Sequence, residues 1–347
     1  MKSFIDLDRT FSGQPPRLGV LLGRVDVARG QEKLFQDQLP ELLTALSRSA
    51  RVESIHASNA IEGIDVPTAR AENIAAGGMR FRNRGEREFA GYRDAIDEIV
   101  RRPPEPISVP LLLHLHRQLL RHVDGRGGSF KSDQNLIVSY EGGRRKIVFT
   151  PPDEIQTPFL TKELVDRYLE AQDRETAHPL ALLGAFILDL LAIHPVADGN
   201  GRVARLATNS EMLRLGYGVP RYVSLEQQIF ESKSSYYASL AESQRGWHEG
   251  THTIWPWVQY LAGAVAQAYD VFERRTAAAR GGAGRSKQDR VRAYVLEQAK
   301  PEFRLADIRR AVPGVSDETI RIVLNALKAD GKVRVRGRGP GARWLRA

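Results

Sequence analysis

The 347-residue chain has no cysteine, which excludes disulfides and thiolate metal centres and fits a reducing compartment. No stretch approaches the roughly 18–20 uninterrupted apolar residues of a membrane span. The opening MKSFIDLDRTFSGQPP lacks the apolar run of a secretory leader. A cytoplasmic protein with no membrane partner is expected. Internal repeats and long low-complexity tracts are also missing. Hydrophobic residues make up 42% and charged residues 27% of the chain, an ordinary globular balance. Its length suits about two or three domains.

Excess positive charge is missing from most of the chain as well. Residues 287–347 hold 15 Lys and Arg against 7 Asp and Glu, a net of +8 out of +9 for the whole. Any electrostatic attraction to nucleic acid belongs in that tail.

Apolar residues recur mostly at three- and four-residue spacing, which predicts a mainly α fold. Helices are expected over 32–49, with helical character at 47–61, then over 87–100, stopped by Arg101-Arg102-Pro103-Pro104, and over 111–121. The period then changes: 136–140 and 146–150 are rich in β formers, flank Glu141-Gly142-Gly143 and read as a hairpin ended by Pro151-Pro152. Residues 161–172 return to a helical pattern. Residues 180–193 are apolar on nearly every side, which marks a helix at the centre of a domain. A helix over 201–215 stops at Gly216, and further helices are expected at 234–244 and 257–275. Residues 276–286, TAAARGGAGRS, have linker composition.

Between the two central helices lies His194-Pro-Val-Ala-Asp198-Gly-Asn200-Gly201-Arg202-Val-Ala-Arg205. Gly199 and Gly201 permit tight turns and close approach of phosphate to main-chain N–H groups. The turn feeds a helix N-terminus, which favours anions. Arg202 and Arg205, three apart, share a helix face and offer forked donors. Asp198 is a hard oxygen ligand suited to Mg²⁺. His194 has a near-neutral reference pKa suited to proton removal. An EF-hand loop is excluded, because the twelfth position from Asp198 is Asn209 rather than Glu.

This segment resembles the Fic family signature, HPFx(D/E)GNGRxxR, matching at His194, Pro195, Asp198, Gly199, Asn200, Gly201, Arg202 and Arg205. Val196 departs from the usual Phe, a core anchor for the loop. The resemblance implies a mainly α, Fic-type helical core with a β-hairpin flap. It implies ATP as substrate with Mg²⁺ and a protein adenylyltransferase activity on Ser, Thr or Tyr. In that scheme His194 is the general base and Asp198 holds the metal. Asn200 and the N–H groups around Gly199 and Gly201 orient phosphates, and Arg202 and Arg205 hold the β- and γ-phosphates. Related Doc kinases carry Lys at the place of Gly201, so this glycine favours AMP transfer. Transfer of another phosphate-containing group such as UMP or phosphocholine, and removal of AMP, stay open.

Upstream, Ser58-Asn-Ala-Ile-Glu62-Gly63 resembles the family's inhibitory motif, (S/T)xxxE(G/N). The resemblance implies that Glu62 pairs with Arg205 in the γ-phosphate's seat while Ser58 holds the glutamate in place. The hairpin 136–150 sits where the family docks its target protein. Gly128-Ser-Phe130-Lys131 resembles G-x-(Y/F)-R with Lys131 for Arg. Relatives place a Tyr and an amide near the nucleoside, which points to Tyr237 and Gln244.

The tail reads as helices at 289–299, 305–312 and 316–330 and strands at 332–336 and 342–345, with a wing turn at 336–341. It looks like the winged helix-turn-helix that many Fic proteins carry. DNA at 287–347 is one partner expectation, through Thr319, Arg321, Ile322, Arg336 and Arg338; a protein-contact module is the other. The expected division is a helical region with the inhibitory helix (1–105), the Fic core (106–275), a linker (276–286) and the winged helix (287–347). A homodimer is left open. The rival from another class is a DNA-binding regulator using the Fic core as a nucleotide sensor.

Overall fold

The computed structural model describes residues 2–123, 127–141, 144–280, 286–337 and 342–346. It is mainly helical, as expected. The helices run α1 Leu7–Ser12, α2 Pro16–Gln38, α3 Pro40–Ile61, α4 Thr68–Ala75, α5 Arg84–Arg101, α6 Val109–Leu119, α7 Thr157–Asp173, α8 Pro179–Ile193 and α9 Asn200–Arg214. They continue with α10 Leu225–Glu231, α11 Lys233–Gln244, α12 Trp255–Arg280, α13 Lys287–Ala293, α14 Leu305–Ala311 and α15 Asp317–Ala329. Strands β1 Ile137–Glu141 and β2 Arg144–Phe149 form an antiparallel ribbon; β3 Glu302–Arg304, β4 Val333–Arg336 and β5 Arg343–Arg346 form a sheet in the order β3-β5-β4. No helix among the described residues is long and apolar enough to cross a membrane.

Several boundaries differ from the sequence expectation for local reasons. The stretch 32–49 is not one helix but the end of α2 and the start of α3, which meet at Leu39 (φ −137°, ψ 49°). A residue before proline is pushed out of the helical region, and Pro40 suits the first position of a new helix. Helix α12 continues through Arg280, into the expected linker. The run Thr276-Ala-Ala-Ala-Arg280 contains strong helix formers, and Thr276 is itself buried with its hydroxyl donating to the Phe272 carbonyl (3.0 Å). The rest of that linker (281–285), the hairpin turn residues Gly142 and Gly143, and Arg338 with the wing turn at 338–341 lie outside the described residues.

One hydrophobic core runs from Phe4 to Phe272 and a second from Val291 to Trp344. The first 105 residues therefore share their interior with the 106–275 region. At its centre is α8, buried at every position from Leu180 to Ile193, with α7, α9 and α12 packed around it. Helices α5 and α6 approach so closely that a Cβ on Gly91 would lie 1.9 Å from the Leu119 carbonyl oxygen. That clash is with backbone, which cannot swing away. Gly91→Ala is expected to cost about 3 kcal/mol, read as a lower urea midpoint with an unchanged m-value. The register of α5 matters because its first turns reach the candidate site.

A candidate anion site at the start of helix α9

Helix α8 ends at His194, a non-glycine residue in the left-handed region (φ 54°, ψ 60°). Such a conformation persists only where the surroundings hold it. Here the Asn135 amide donates to the His194 and Val196 carbonyls (3.3 and 3.1 Å), while Val196 is buried. The imidazole Nδ1 lies 3.1 Å from the Leu191 carbonyl. A carbonyl only accepts, so Nδ1 carries the proton and Nε2 keeps its lone pair. Burial pushes the imidazole pKa down to about 4, and the Lys131 charge acts in the same direction. His194 is therefore neutral at pH 7.

The turn closes through Asn200, whose Oδ1 accepts from the Val196 N–H (3.0 Å) and whose Nδ2 donates to the Val196 carbonyl (2.6 Å). The Asn200 amide thus clasps its own loop through Oδ1 and one Nδ2 N–H, with the second N–H left for another acceptor. Gly199 is the N-cap of α9 at φ 85°, with no side-chain capping bond. The first N–H groups of α9 thus lack a side-chain partner at the cap, the condition under which a helix end takes an anion.

An anion already sits there. Helix α3 ends at Glu62, with Gly63 turning at φ 76°. A Cβ on Gly201 would lie 2.5 Å from Glu62 Oε1 and 3.2 Å from Arg205 Nη1. Arg205 Nη2 donates to Glu62 Oε1 at 2.8 Å. Burial alone would raise the Glu62 carboxyl, but the Arg205 guanidinium outweighs it and holds the pKa below its ordinary value. Ser58 bonds to the same guanidinium as the glutamate: its hydroxyl accepts from Arg205 Nε (2.9 Å) and its carbonyl from Nη2 (3.1 Å). Residues 58 and 62 are one turn apart on α3, so both meet the same guanidinium from different edges.

Arg202 is equally committed. Its Nη1 donates to Glu88 at 2.5 Å and its Nη2 lies 3.6 Å from Asp198. Arg84 completes the ring, contacting Glu88 (2.5 Å) and Asp198 (2.6 Å). Two guanidinium N–H groups at this site are buried without a hydrogen-bond partner among the described residues: Arg202 Nε and Arg205 Nη1. Buried guanidinium N–H groups without acceptors are costly, and their position at the α9 terminus suits phosphate oxygens.

Residues 106–212 match the family model described as Fic/DOC family. The chain carries a Fic domain. It is similar to the protein adenylyltransferase Fic of Drosophila melanogaster, 28% identical over 236 residues, covering 66% of this chain and 44% of that one. It thus spans less than half the length of the curated relatives it matches. A Fic family protein from Desulfovibrio desulfuricans shares the fold with a TM-score of 0.60 at 21% identity, over 96% of both chains. A Fic domain-containing signaling protein from Bacteroides thetaiotaomicron does so at 0.58 and 21%, covering 72% of this chain and 95% of that one.

Asn135, within the Fic domain, and Glu88 and Arg84, which reach its loop from α5 outside the matched residues, are not apparent from the sequence. The signal available was weak: a Glu-rich, Arg-rich first turn on α5, more than a hundred residues from Asp198. Lys131, in the family's Arg place, is buried and fastens the hairpin base to the loop. Its Nζ donates to Asn135 (2.8 Å), the Pro152 carbonyl (2.7 Å) and the Ile193 carbonyl (3.4 Å). Burial lowers its pKa to about 8. Of the two tyrosines on α11, the buried Tyr236 lies beside Arg205, both lining a cavity of about 20 Å³. Tyr237 is 45% exposed and feels the Glu62 charge. Gln244 is buried seven residues further on, about 10 Å along the helix. Among the described residues no hydrogen bond joins its side chain to 194–205. Clefts of about 470 and 440 Å³ lie elsewhere and share no lining residue with this cavity.

Proposed function

We propose that the Fic domain transfers AMP from ATP to a hydroxyl side chain of a target protein and that Glu62 holds this activity down. The observation that supports it most is the Glu62 carboxylate itself: an anion lodged over Gly201 and bonded to Arg205 at an uncapped helix end. A phosphate group would take the same donors. His194 Nε2 removes the acceptor's proton as its oxygen forms a bond to the α-phosphorus. The α–β phosphoanhydride bond breaks and pyrophosphate leaves with its charge met by Arg205, Arg202 and the α9 N–H groups. Asp198 would hold Mg²⁺, which adds positive charge on the phosphates when bound. No cluster of three or more acidic, His or Cys ligands exists among the described residues. A single half-exposed carboxylate therefore fits a metal that takes its other ligands from the triphosphate.

The deciding experiment uses Glu62→Gly protein with ATP labelled at either end. Incorporation of α-label, absent in Glu62→Gly/His194→Ala, supports AMP transfer; γ-label instead would identify a kinase, and neither label would leave the nucleotide-sensor reading.

Arg84 occupies Asp198 as a cation in place of the metal. Both side chains are largely exposed, so the pair contributes no more than about 1 kcal/mol to stability. Arg84→Ala also leaves the nearly buried Glu88 with Arg202 as its partner, so a modest fall in melting temperature is expected. It should tighten Mn²⁺ binding several-fold in an electron paramagnetic resonance titration with a non-hydrolysable ATP analogue.

For residues 287–347 we infer a winged-helix module, supported by three helices beside the β3-β5-β4 sheet. The first turn of its α15 is acidic (Asp317, Glu318), which disfavours phosphate there, and the Thr319 hydroxyl is engaged with Ser316 (3.0 Å). Arg309, Arg310 and Arg343 are paired with carboxylates. This favours a protein contact over DNA. Duplex binding is expected to be weak, and a steep loss of affinity with salt, weakened by Arg334→Ala/Arg336→Ala, would reverse that assignment.

A further inference from the structure

Strand pairing places two apolar side chains outward next to the site. Ile137 pairs with Phe149 and Val138 with Ile147, so Val148 is an extra residue, a β-bulge. Phe149 turns inward, stacked on His248 and edge-on to Trp247. Ile147 and Val148 are left 55% and 44% exposed. Beyond the buried Pro151 and Pro152, Ile155 is 82% and Phe159 69% exposed. Ile155 lies in the turn just before α7 and Phe159 in its first turn. Four of the eleven exposed large apolar side chains among the described residues fall within these thirteen positions. They are concentrated, as at a contact surface, rather than scattered.

The patch is fastened to the chemistry. One ammonium, Lys131 Nζ, holds both the Pro152 carbonyl and the Ile193 carbonyl, so the ridge and the His194 turn share an anchor. The neighbouring hairpin is basic: Arg144, Arg145 and Lys146 stand against Glu141, and Arg145 is exposed. Asp153 accepts from the Gln156 N–H (2.8 Å) and side-chain amide (3.0 Å) in the turn before α7.

We propose that the target is recognised by an extended segment carrying acidic residues beside large apolar ones, the acidic part against Arg145 and the apolar part against Ile147, Val148, Ile155 and Phe159. This rests on the transfer reading above and specifies its acceptor. Exposed edge backbone of the ribbon supplies main-chain hydrogen bonds without sequence preference, whereas this charge and apolar surface supplies the selectivity.

The test uses full-length Glu62→Gly protein, α-labelled ATP and synthetic peptides with one central Thr. Flanks are acidic plus apolar, acidic plus Gly/Ser, Lys plus apolar, or Gly/Ser only. The acidic-apolar series is expected to label at least ten-fold faster than the Gly/Ser series. Adding Ile155→Asp/Phe159→Asp should abolish the apolar preference, and Arg145→Glu should turn the charge preference toward Lys, both with ATP affinity unchanged. Equal labelling of all series overturns the proposal. So does labelling of no peptide by protein that labels itself, or a change of oligomeric state in the Asp variants with peptide labelling intact. Absence of self-labelling as well as peptide labelling removes the transfer reading, and this one with it.

Discussion

Glu62→Gly is expected to raise α-label incorporation by about 10- to 100-fold. The carboxylate makes a charge-assisted hydrogen bond to Arg205, an interaction of about 1.5–3 kcal/mol, and each 1.4 kcal/mol is tenfold in occupancy of the seat. Removing it frees one Arg205 Nη2 N–H, the other staying on the Ser58 carbonyl, to join the already partnerless Nη1. Stability should move the other way. Arg205 is almost fully buried and would lose its counter-ion, so the nucleotide-free variant should melt below wild type. ATP then supplies the missing charge, and the ATP-induced rise in melting temperature should exceed that of wild type. The sign of pH dependence follows from the carboxyl's lowered pKa. A group depressed on folding stabilises above its unfolded pKa and loses that contribution as pH falls through the folded value. The contact is thus fully formed at neutral pH and is released only in acid, below the ordinary glutamate value. Unchanged incorporation together with an unchanged ATP-induced shift would mean that Glu62 does not compete with nucleotide.

What was readable beforehand tracks how local the interaction is. The 194–205 turn is a contiguous segment whose glycines, proline and charges announce their own geometry, and α8 is apolar around its whole circumference. The loop bonds of Asn200 were not readable, because they depend on the backbone of Val196, four residues away. Ser58 and Glu62 could be placed on one face of α3, yet the division of labour between them depends on which edge of Arg205 each meets. Glu88 and Arg84 reach Asp198 and Arg202 only through the packing of α5 on α9. That packing turns on the α5–α6 approach at Gly91 and leaves no periodic trace. The short helices α4 and α10 and the 3₁₀ turns Lys2–Phe4 and Val219–Arg221 were missed because three to eight residues carry too little pattern to stand out. The break at Leu39–Pro40 was legible and was overridden by the surrounding apolar spacing.

His194→Ala in the Glu62→Gly background is expected to cut incorporation by about 10²–10⁴-fold, the usual contribution of a positioned base. ATP affinity should stay within a few-fold, because the donors at the α9 terminus and Arg205 are untouched. That split separates loss of proton transfer from collapse of the loop, which would weaken both. The pH profile adds an independent sign. Folding lowers the imidazole pKa from 6.5 to about 4, so the base limb should lie near pH 4 and incorporation should be flat with respect to this group from pH 6 to 8. Between pH 6.5 and 4 the unfolded chain binds the proton and the folded chain does not, so stability falls as pH is lowered through that window. His116, buried beside Asp198 and also pushed to about 4 by burial, contributes in the same direction. The alanine variant should therefore lose less stability than its parent between pH 6.5 and 4, with the His116 part persisting. An identical pH–stability slope in both proteins would mean that residue 194 already carries its proton when folded, and an imidazolium cannot accept one from the attacking hydroxyl.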